Sequence, residues 1–295
     1  MGPPPGHDLR AAELTADISV DPTDLRRLEE LLARRNFRPV HRLGQNFLVD
    51  GRLRDRVAEL SGITSGDRVL EVGSGPGALT VRLVEMALEV IAVELDKRLL
   101  AVLGDVLPDR PNLRIVGGDI LKIKLPAVDV VAGNIPYYLT GALLPRLLEG
   151  PQRPRTVSLV VQREVAERWT QQGDWSLATV AVQTLAIPRL ELVLPREAFW
   201  PEPAVESALV VLEVREKPAV DVPDLNAFFR FVEVLFQFRR KQLGSTLARR
   251  AGPGPAVAAR LESIGIDPSR RAQTLTLPEW EALYGEFGLG DGPRE

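Results

Sequence analysis

The 295-residue sequence predicts an α/β protein, a mainly parallel sheet covered by helices and followed by a small all-helical domain. Three observations predict it. Short apolar runs alternate with helical patterns over residues 68–170, the signature of parallel strands buried on both faces. A glycine turn, Glu71-Val72-Gly73-Ser74-Gly75-Pro76-Gly77, joins the first of those strands to its helix. Beyond Pro223 the strand signal disappears and only helical patterns recur.

Residues 1–22 open with a proline- and glycine-rich stretch and are expected to be a flexible tail. Residues 23–35 carry Leu25, Leu28, Leu31 and Leu32 at helical spacing, and Pro39 follows as a stop. A second helix is expected over 53–60, with a turn at Gly66-Asp67. Strands over 68–72, 90–93, 113–116, 128–132 and 157–161 then alternate with helices over 77–86, 97–103, 141–148 and 164–170. Residues 176–186, 190–194 and 208–214 supply the later elements. Lys217-Pro218 and Val222-Pro223 punctuate a linker. Helices are expected after it over 225–238, 242–250, 256–264 and 278–287. The expected division is a tail over 1–22, a main domain with a helical lead-in over 23–216, and a helical domain over 217–295.

Composition narrows the chemistry. There is no cysteine, which excludes disulfides, thiolate zinc sites and cysteine nucleophiles. His7 and His41 are the only histidines, too few for a histidine metal cluster, so no metal site is expected. No apolar run approaches the roughly 18 residues of a membrane span, and no secretory leader is legible, so a cytoplasmic monomer away from membranes is expected. Net charge is −3, which by itself gives no footprint for nucleic acid. The distribution is uneven: residues 25–56 hold nine Lys/Arg against four Asp/Glu, and residues 239–271 hold eight against two. Such segments form a binding stripe or a solvated face, and composition does not choose between them.

The glycine turn is a place where backbone can approach a ligand closely. Its spacing is G-x-G-x-G, and Glu71 at its start would repel a phosphate and attract an ammonium group. That combination favours S-adenosylmethionine, which carries an amino acid and no phosphate, over a dinucleotide. Gly73 and Gly75 line the turn in this reading. Glu94, at the end of the second strand, is placed to accept hydrogen bonds from ribose hydroxyls, and Asp119, after the third, from an adenine amino group. The expectation is therefore a Rossmann-like methyltransferase sheet with its ligands along the carboxyl edge.

Asn134-Ile135-Pro136-Tyr137 follows the fourth strand. A base amino nitrogen is a poor nucleophile, because its lone pair is delocalised into the ring. The Asn134 side-chain oxygen and a carbonyl near Pro136 can accept its hydrogens as it turns tetrahedral, with Pro136 stiffening the backbone. Tyr137 can stack on the base, an interaction worth roughly 1–3 kcal/mol. The run Phe199-Trp200-Pro201-Glu202-Pro203 is expected to present Phe199 or Trp200 as a second wall.

These motifs, with His41-Arg42-Leu43-Gly44-Gln45-Asn46-Phe47-Leu48, Phe238-Arg239-Arg240-Lys241-Gln242-Leu243 and the ending around Ile266-Asp267, resemble the rRNA adenine N6,N6-dimethyltransferase family, its small-subunit (16S) rRNA branch in particular. The resemblance spans about residues 37–287. It implies methylation, with S-adenosylmethionine, of two adjacent adenosines in the 3′-terminal hairpin loop of 16S rRNA within an immature small subunit. It implies cofactor contacts from Asn46, Leu48, Gly73, Glu94, Asp119 and Asn134, with Gln45 closing the pocket beside them. The target adenine maps onto Asn134, Pro136, Tyr137 and Phe199, and the RNA-facing cations onto Arg239, Arg240 and Lys241. Tyr138 departs from the family, in which many members have asparagine, and Trp175-Ser176-Leu177 replaces a more usual tyrosine-glycine pair. Two other readings compete: a 23S rRNA adenine N6-methyltransferase, and a mainly structural ribosome assembly factor. The Arg239-Arg240-Lys241 segment speaks against the first, and the intact Glu94, Asp119 and Asn134 against the second.

Overall fold

The computed structural model describes residues 20–39, 44–150, 152–171 and 174–288. The expected tail up to residue 19, with His7, and the His41-Arg42-Leu43 start of the first motif lie outside the described residues. Residues 20–22, expected in the tail, are tied down. Val20 packs on the core, and Arg54 donates to the Asp21 carboxylate at 2.9 Å.

Helix α1 (Leu25–Arg34) starts where the Asp24 carboxylate accepts the Arg27 amide, and buries Leu28, Leu31 and Leu32. Strand β1 (Phe47–Leu48) and α2 (Gly51–Leu60) lead into the alternating part of the chain. That part runs β2 (Arg68–Val72), α3 (Ala78–Met86), β3 (Glu89–Glu94), α4 (Lys97–Val106), β4 (Leu113–Gly117), β5 (Val130–Asn134), α5 (Thr140–Leu148), β6 (Thr156–Gln162) and α6 (Arg163–Thr170). Helix α7 (Leu177–Leu185), β7 (Ala186–Leu194), β8 (Phe199–Trp200) and β9 (Ser207–Val214) complete it.

Seven strands form one sheet in the order β4-β3-β2-β5-β6-β9-β7, with β9 antiparallel to both its neighbours and the rest parallel. From β2 the chain first builds outward through β3 and β4, then returns to β5 on the other side. The β2/β5 boundary is thus the point where strand order reverses, and ligands of open α/β sheets bind outside the carboxyl ends there. Strand β5 begins two residues later than its apolar run suggests. Asp129, just before it, is held on both sides: its amide donates to the Arg68 carbonyl and its carbonyl accepts the Arg155 amide, both at 2.9 Å, and its carboxylate accepts the Arg68 amide at 2.8 Å. Asn134 is the last residue of β5, not the first of a loop.

Alternation along the strands splits the core in two. Val69, Val90, Ala92, Val130 and Ala132 pack with α1–α4 on one face, while Leu70, Val72, Ile91, Val93 and Val131 pack with α5–α7 on the other. Fully burying each such valine, leucine or isoleucine side chain contributes about 1.5–3 kcal/mol. A third cluster lies in α8 (Leu225–Phe236), α9 (Leu243–Ala251), α10 (Gly254–Ser263) and α11 (Leu277–Phe287), and draws in Trp175 and Val180 from upstream. Apart from the main sheet, β1 and β8 pair antiparallel, Phe47 opposite Trp200 and Leu48 opposite Phe199. No sequence pattern announced that two-residue pairing. It ties the Gln45–Leu48 segment to the sheet's carboxyl edge.

Candidate active site

The same alternation that builds the core also builds the site. Glu71, Glu94 and Asn134 sit two residues beyond Val69, Ala92 and Ala132, so their side chains share one face at the carboxyl ends of three adjacent parallel strands. The loops converge as well. A Cβ built on Gly133 would stand 2.5 Å from the Val72 carbonyl oxygen, so only glycine allows the ends of β2 and β5 to close this far. Gly73 has φ +70°, and a Cβ there would lie 3.8 Å from both the Asn134 carbonyl oxygen and Pro136 Cδ. A cleft of about 400 Å³ opens between them, lined by Gln45, Asn46, Leu48, Glu71, Gly73, Gly75, Glu94, Asp119, Asn134 and Pro136 among others.

Glu94 is an organiser of this cleft. Its Oε2 accepts the Gly75 amide and its Oε1 the Asp96 amide, both at 2.9 Å, so the acid that ends β3 fixes the glycine turn after β2. Burial pushes its carboxyl up, against the pull of those amides. Each oxygen retains a lone pair for a ligand hydroxyl. Glu71 is 1% exposed, and burial, with the charge of Glu94 added, pushes its carboxyl up to about 8. Its Oε2 and the Ser74 hydroxyl, both in the cleft wall, are buried without a hydrogen-bond partner. An unmet buried acceptor costs about 1–3 kcal/mol, which a ligand ammonium would recover. Asp119 spends Oδ1 on the Leu121 amide at 3.0 Å and holds Oδ2 3.6 Å from Lys122 Nζ. It is both a turn former and a part of the cleft wall.

Asn134 is locked. Its Nδ2 donates to the Asn46 carbonyl at 2.9 Å, which leaves Oδ1 as the acceptor. The Pro136 carbonyl already accepts the Leu139 amide at 2.9 Å, so one of its two lone pairs remains for another donor. Tyr137 is half-buried and its hydroxyl bonds Ser207 Oγ at 2.7 Å. Against the expectation, neither Tyr137 nor Phe199 lines the cleft, and Phe199 is 4% exposed and packed in the core opposite Leu48. At that burial it has no open face for a base. The β1–β8 pairing turned it inward, beneath the segment that carries Leu48.

Among the cleft residues outside the sequence reading, Leu95 is 59% exposed in the wall directly after Glu94 and Ile120 follows Asp119, while Tyr138, the noted departure from the family, lines the cleft too. The signal for the first two was an apolar residue immediately after a strand-end acid. Both basic segments contain paired cations: Arg35 with Asp105, Arg54 with Asp21 and Arg56 with Glu59 in the first, Arg260 with Glu286 and Arg270 with Glu279 in the second. In the second, Arg239, Arg240 and Lys241 are exposed in the turn after α8, and among the described residues their side chains have no ion-pair or hydrogen-bond partner.

The sequence profile of the ribosomal RNA adenine dimethylase family matches residues 36–287. A ribosomal RNA small subunit methyltransferase A from Pelotomaculum thermopropionicum is 38% identical over 284 residues, 88% of this chain and 95% of its own length. Among solved structures, the 23S rRNA methyltransferase ErmE superposes with a TM-score of 0.68 at 30% identity, over 82% of this chain and 99% of that one. A dimethyladenosine transferase from Plasmodium falciparum shares the fold, with a TM-score of 0.70 at 24% identity, over 81% of this chain and 96% of that one.

Proposed function

The chain belongs to the ribosomal RNA adenine dimethylase family, and from that premise we propose that it methylates N6 of two adjacent adenosines in the 3′-terminal hairpin loop of 16S rRNA. It is an rRNA adenine dimethyltransferase that uses S-adenosylmethionine. We assign its substrate as an immature small ribosomal subunit and its working form as a cytoplasmic monomer. The small-subunit relative supports 16S over 23S rRNA, since it is 38% identical where the 23S enzyme is 30%.

The residues present fit the cofactor. The unpartnered Glu71 Oε2 and Ser74 Oγ can receive an amino-acid head, and Glu94 the ribose. Asp119, Leu95 and Ile120 stand where the next ring would lie, with Gln45, Asn46 and Leu48 as the opposite wall. When bound, S-adenosylmethionine supplies an electrophilic methyl, its carbon–sulfur bond breaking as the nitrogen–carbon bond forms. Asn134 Oδ1 accepts an N6 hydrogen, holds the amine in place and favours its tetrahedral form. The free lone pair of the Pro136 carbonyl takes the other hydrogen. Asn134 does not titrate, so the surplus proton leaves to water after transfer. Tyr137, pinned by Ser207 and outside the cleft lining, is assigned in this reading to close on the adenine once it is bound, while Phe199 acts through Leu48 by holding β1 in place. Residues 217–295 face rRNA in this reading, through Arg239, Arg240 and Lys241.

The observation that carries the proposal is the locked Asn134 amide against the glycine turn. The test is labelled-methyl transfer to small subunits that lack the mark, followed by mapping. Two dimethylated adenosines in the 3′ hairpin are expected. Label in 23S rRNA, or none in the hairpin, would defeat the assignment.

A further inference from the structure

Tyr138 occupies an unusual place for an aromatic residue. It is 61% exposed, yet it lines the cleft beside Asn134 and Pro136. Among the described residues its hydroxyl has no hydrogen-bond partner and its ring no aromatic or cationic neighbour. The backbone beneath it is fixed: Tyr137–Leu139 is a 3-10 turn, closed by the Leu139 amide on the Pro136 carbonyl at 2.9 Å, with Leu139 buried. Tyr137 is its opposite, half-buried and tethered by its hydroxyl to Ser207. The pair therefore offers one ring tethered outside the cleft lining and one ring free at the mouth. A lone exposed aromatic is ordinary on a protein surface. This one stands on a rigid turn at the entrance to a reaction site.

We propose that Tyr138 is a substrate-positioning residue whose ring stacks on the nucleobase next to the adenine held at Asn134, a role that rests on the reading of that site as the adenine site. A base that enters a cleft of this kind must leave its stack, and it strips one face from its neighbour. An aromatic ring on a fixed backbone at the mouth replaces that face. Base–aromatic stacking tolerates any base. Tyr138 therefore governs affinity for the unstacked loop rather than the chemical step, and it serves each of two adjacent adenosines while the other reacts.

The experiment is steady-state methylation of unmarked small subunits by the full-length chain and its Tyr138→Ala and Tyr138→Phe variants, with cofactor Kd and melting temperature measured alongside. Tyr138→Ala is expected to raise KM for the subunit about five- to tenfold, the lower part of the range for removal of one stacking ring, with kcat and cofactor Kd within about twofold. Tyr138→Phe keeps the ring and restores KM. An unchanged KM in Tyr138→Ala, a loss confined to kcat, or a phenylalanine variant as poor as the alanine one overturns the proposal while the substrate reading stands. Wild-type enzyme that leaves the hairpin unmethylated overturns the substrate reading and this role with it.

Discussion

The side-chain nitrogen of Asn134 donates to the main-chain carbonyl of Asn46 at 2.9 Å, across 88 residues of sequence. The bond fixes which end of the amide faces the cleft, so the acceptor oxygen is set before any substrate arrives. It also couples the end of β5 to the segment that leads into β1.

Asn134→Ala removes an acceptor aimed at a reacting amine. We expect kcat to fall about a hundredfold, the usual cost of one preorganised transition-state hydrogen bond, while cofactor Kd changes far less. Asn134→Asp is the sharper variant. It keeps an acceptor of the same shape but cannot donate to Asn46, and it sets a carboxylate against that carbonyl. It should be at least as inactive. An active aspartate variant would show that the orientation of the amide is irrelevant.

Glu94→Ala should act on the cofactor instead. Its carboxylate satisfies the Gly75 and Asp96 amides, so the variant leaves both without their acceptor. Each unmet buried amide costs about 1–3 kcal/mol. Calorimetric affinity for S-adenosylmethionine should drop and thermal stability should drop with it. Glu94→Gln, which keeps one acceptor oxygen, should fall between. Full cofactor affinity in Glu94→Ala would remove this residue from the binding site.

The strands, the glycine turn and the polar strand ends were legible because each has a local signal: apolar runs, glycines, and acids or amides that interrupt them. Glu71, Glu94 and Asn134 could even be read in series. Their shared face followed from register, which only pairing partners determine. The β1–β8 pairing was not legible, since two residues carry no periodicity. That omission is why Phe199 read as an open wall and proved to be core. Tyr137 and Tyr138 are adjacent and chemically identical, so composition cannot rank them. A 3-10 turn and one hydroxyl bond to Ser207 decide which is built in and which is free.

Arg239, Arg240 and Lys241 should bind the substrate without touching the cofactor. These three cations are consecutive, exposed and, among the described residues, without an ion-pair or hydrogen-bond partner for their side chains. Replacing all three by alanine should raise KM for the subunit and flatten its dependence on salt, by about one unit of log–log slope for each phosphate the variant no longer neutralises. Cofactor Kd should stay at the wild-type value. An unchanged salt slope would place the rRNA on another face.

Glu71 makes both stability and cofactor binding depend on pH. Its folded carboxyl lies near 8 against an ordinary value of 4.5, because burial and the neighbouring Glu94 disfavour its charge. Below 4.5 both folded and unfolded chains hold the proton. Between 4.5 and about 8 the unfolded chain has lost it and the folded chain keeps it, so this group's contribution to stability declines as pH rises and levels off above 8. Glu94 is shifted in the same direction, whereas Asp67 and Asp96 are lowered and act at more acid pH. Comparing wild type with Glu71→Gln isolates the one group: the glutamine variant should show a shallower decline in melting temperature from pH 5 to pH 8. An ammonium bound beside Glu71 favours the carboxylate, so cofactor binding near pH 7 should release a proton and tighten as pH approaches 8. Titration calorimetry in buffers of different ionisation heat reads that proton directly. Glu71→Gln should bind with no such release; equal proton counts for the two proteins would mean that the cofactor's amino group lies elsewhere.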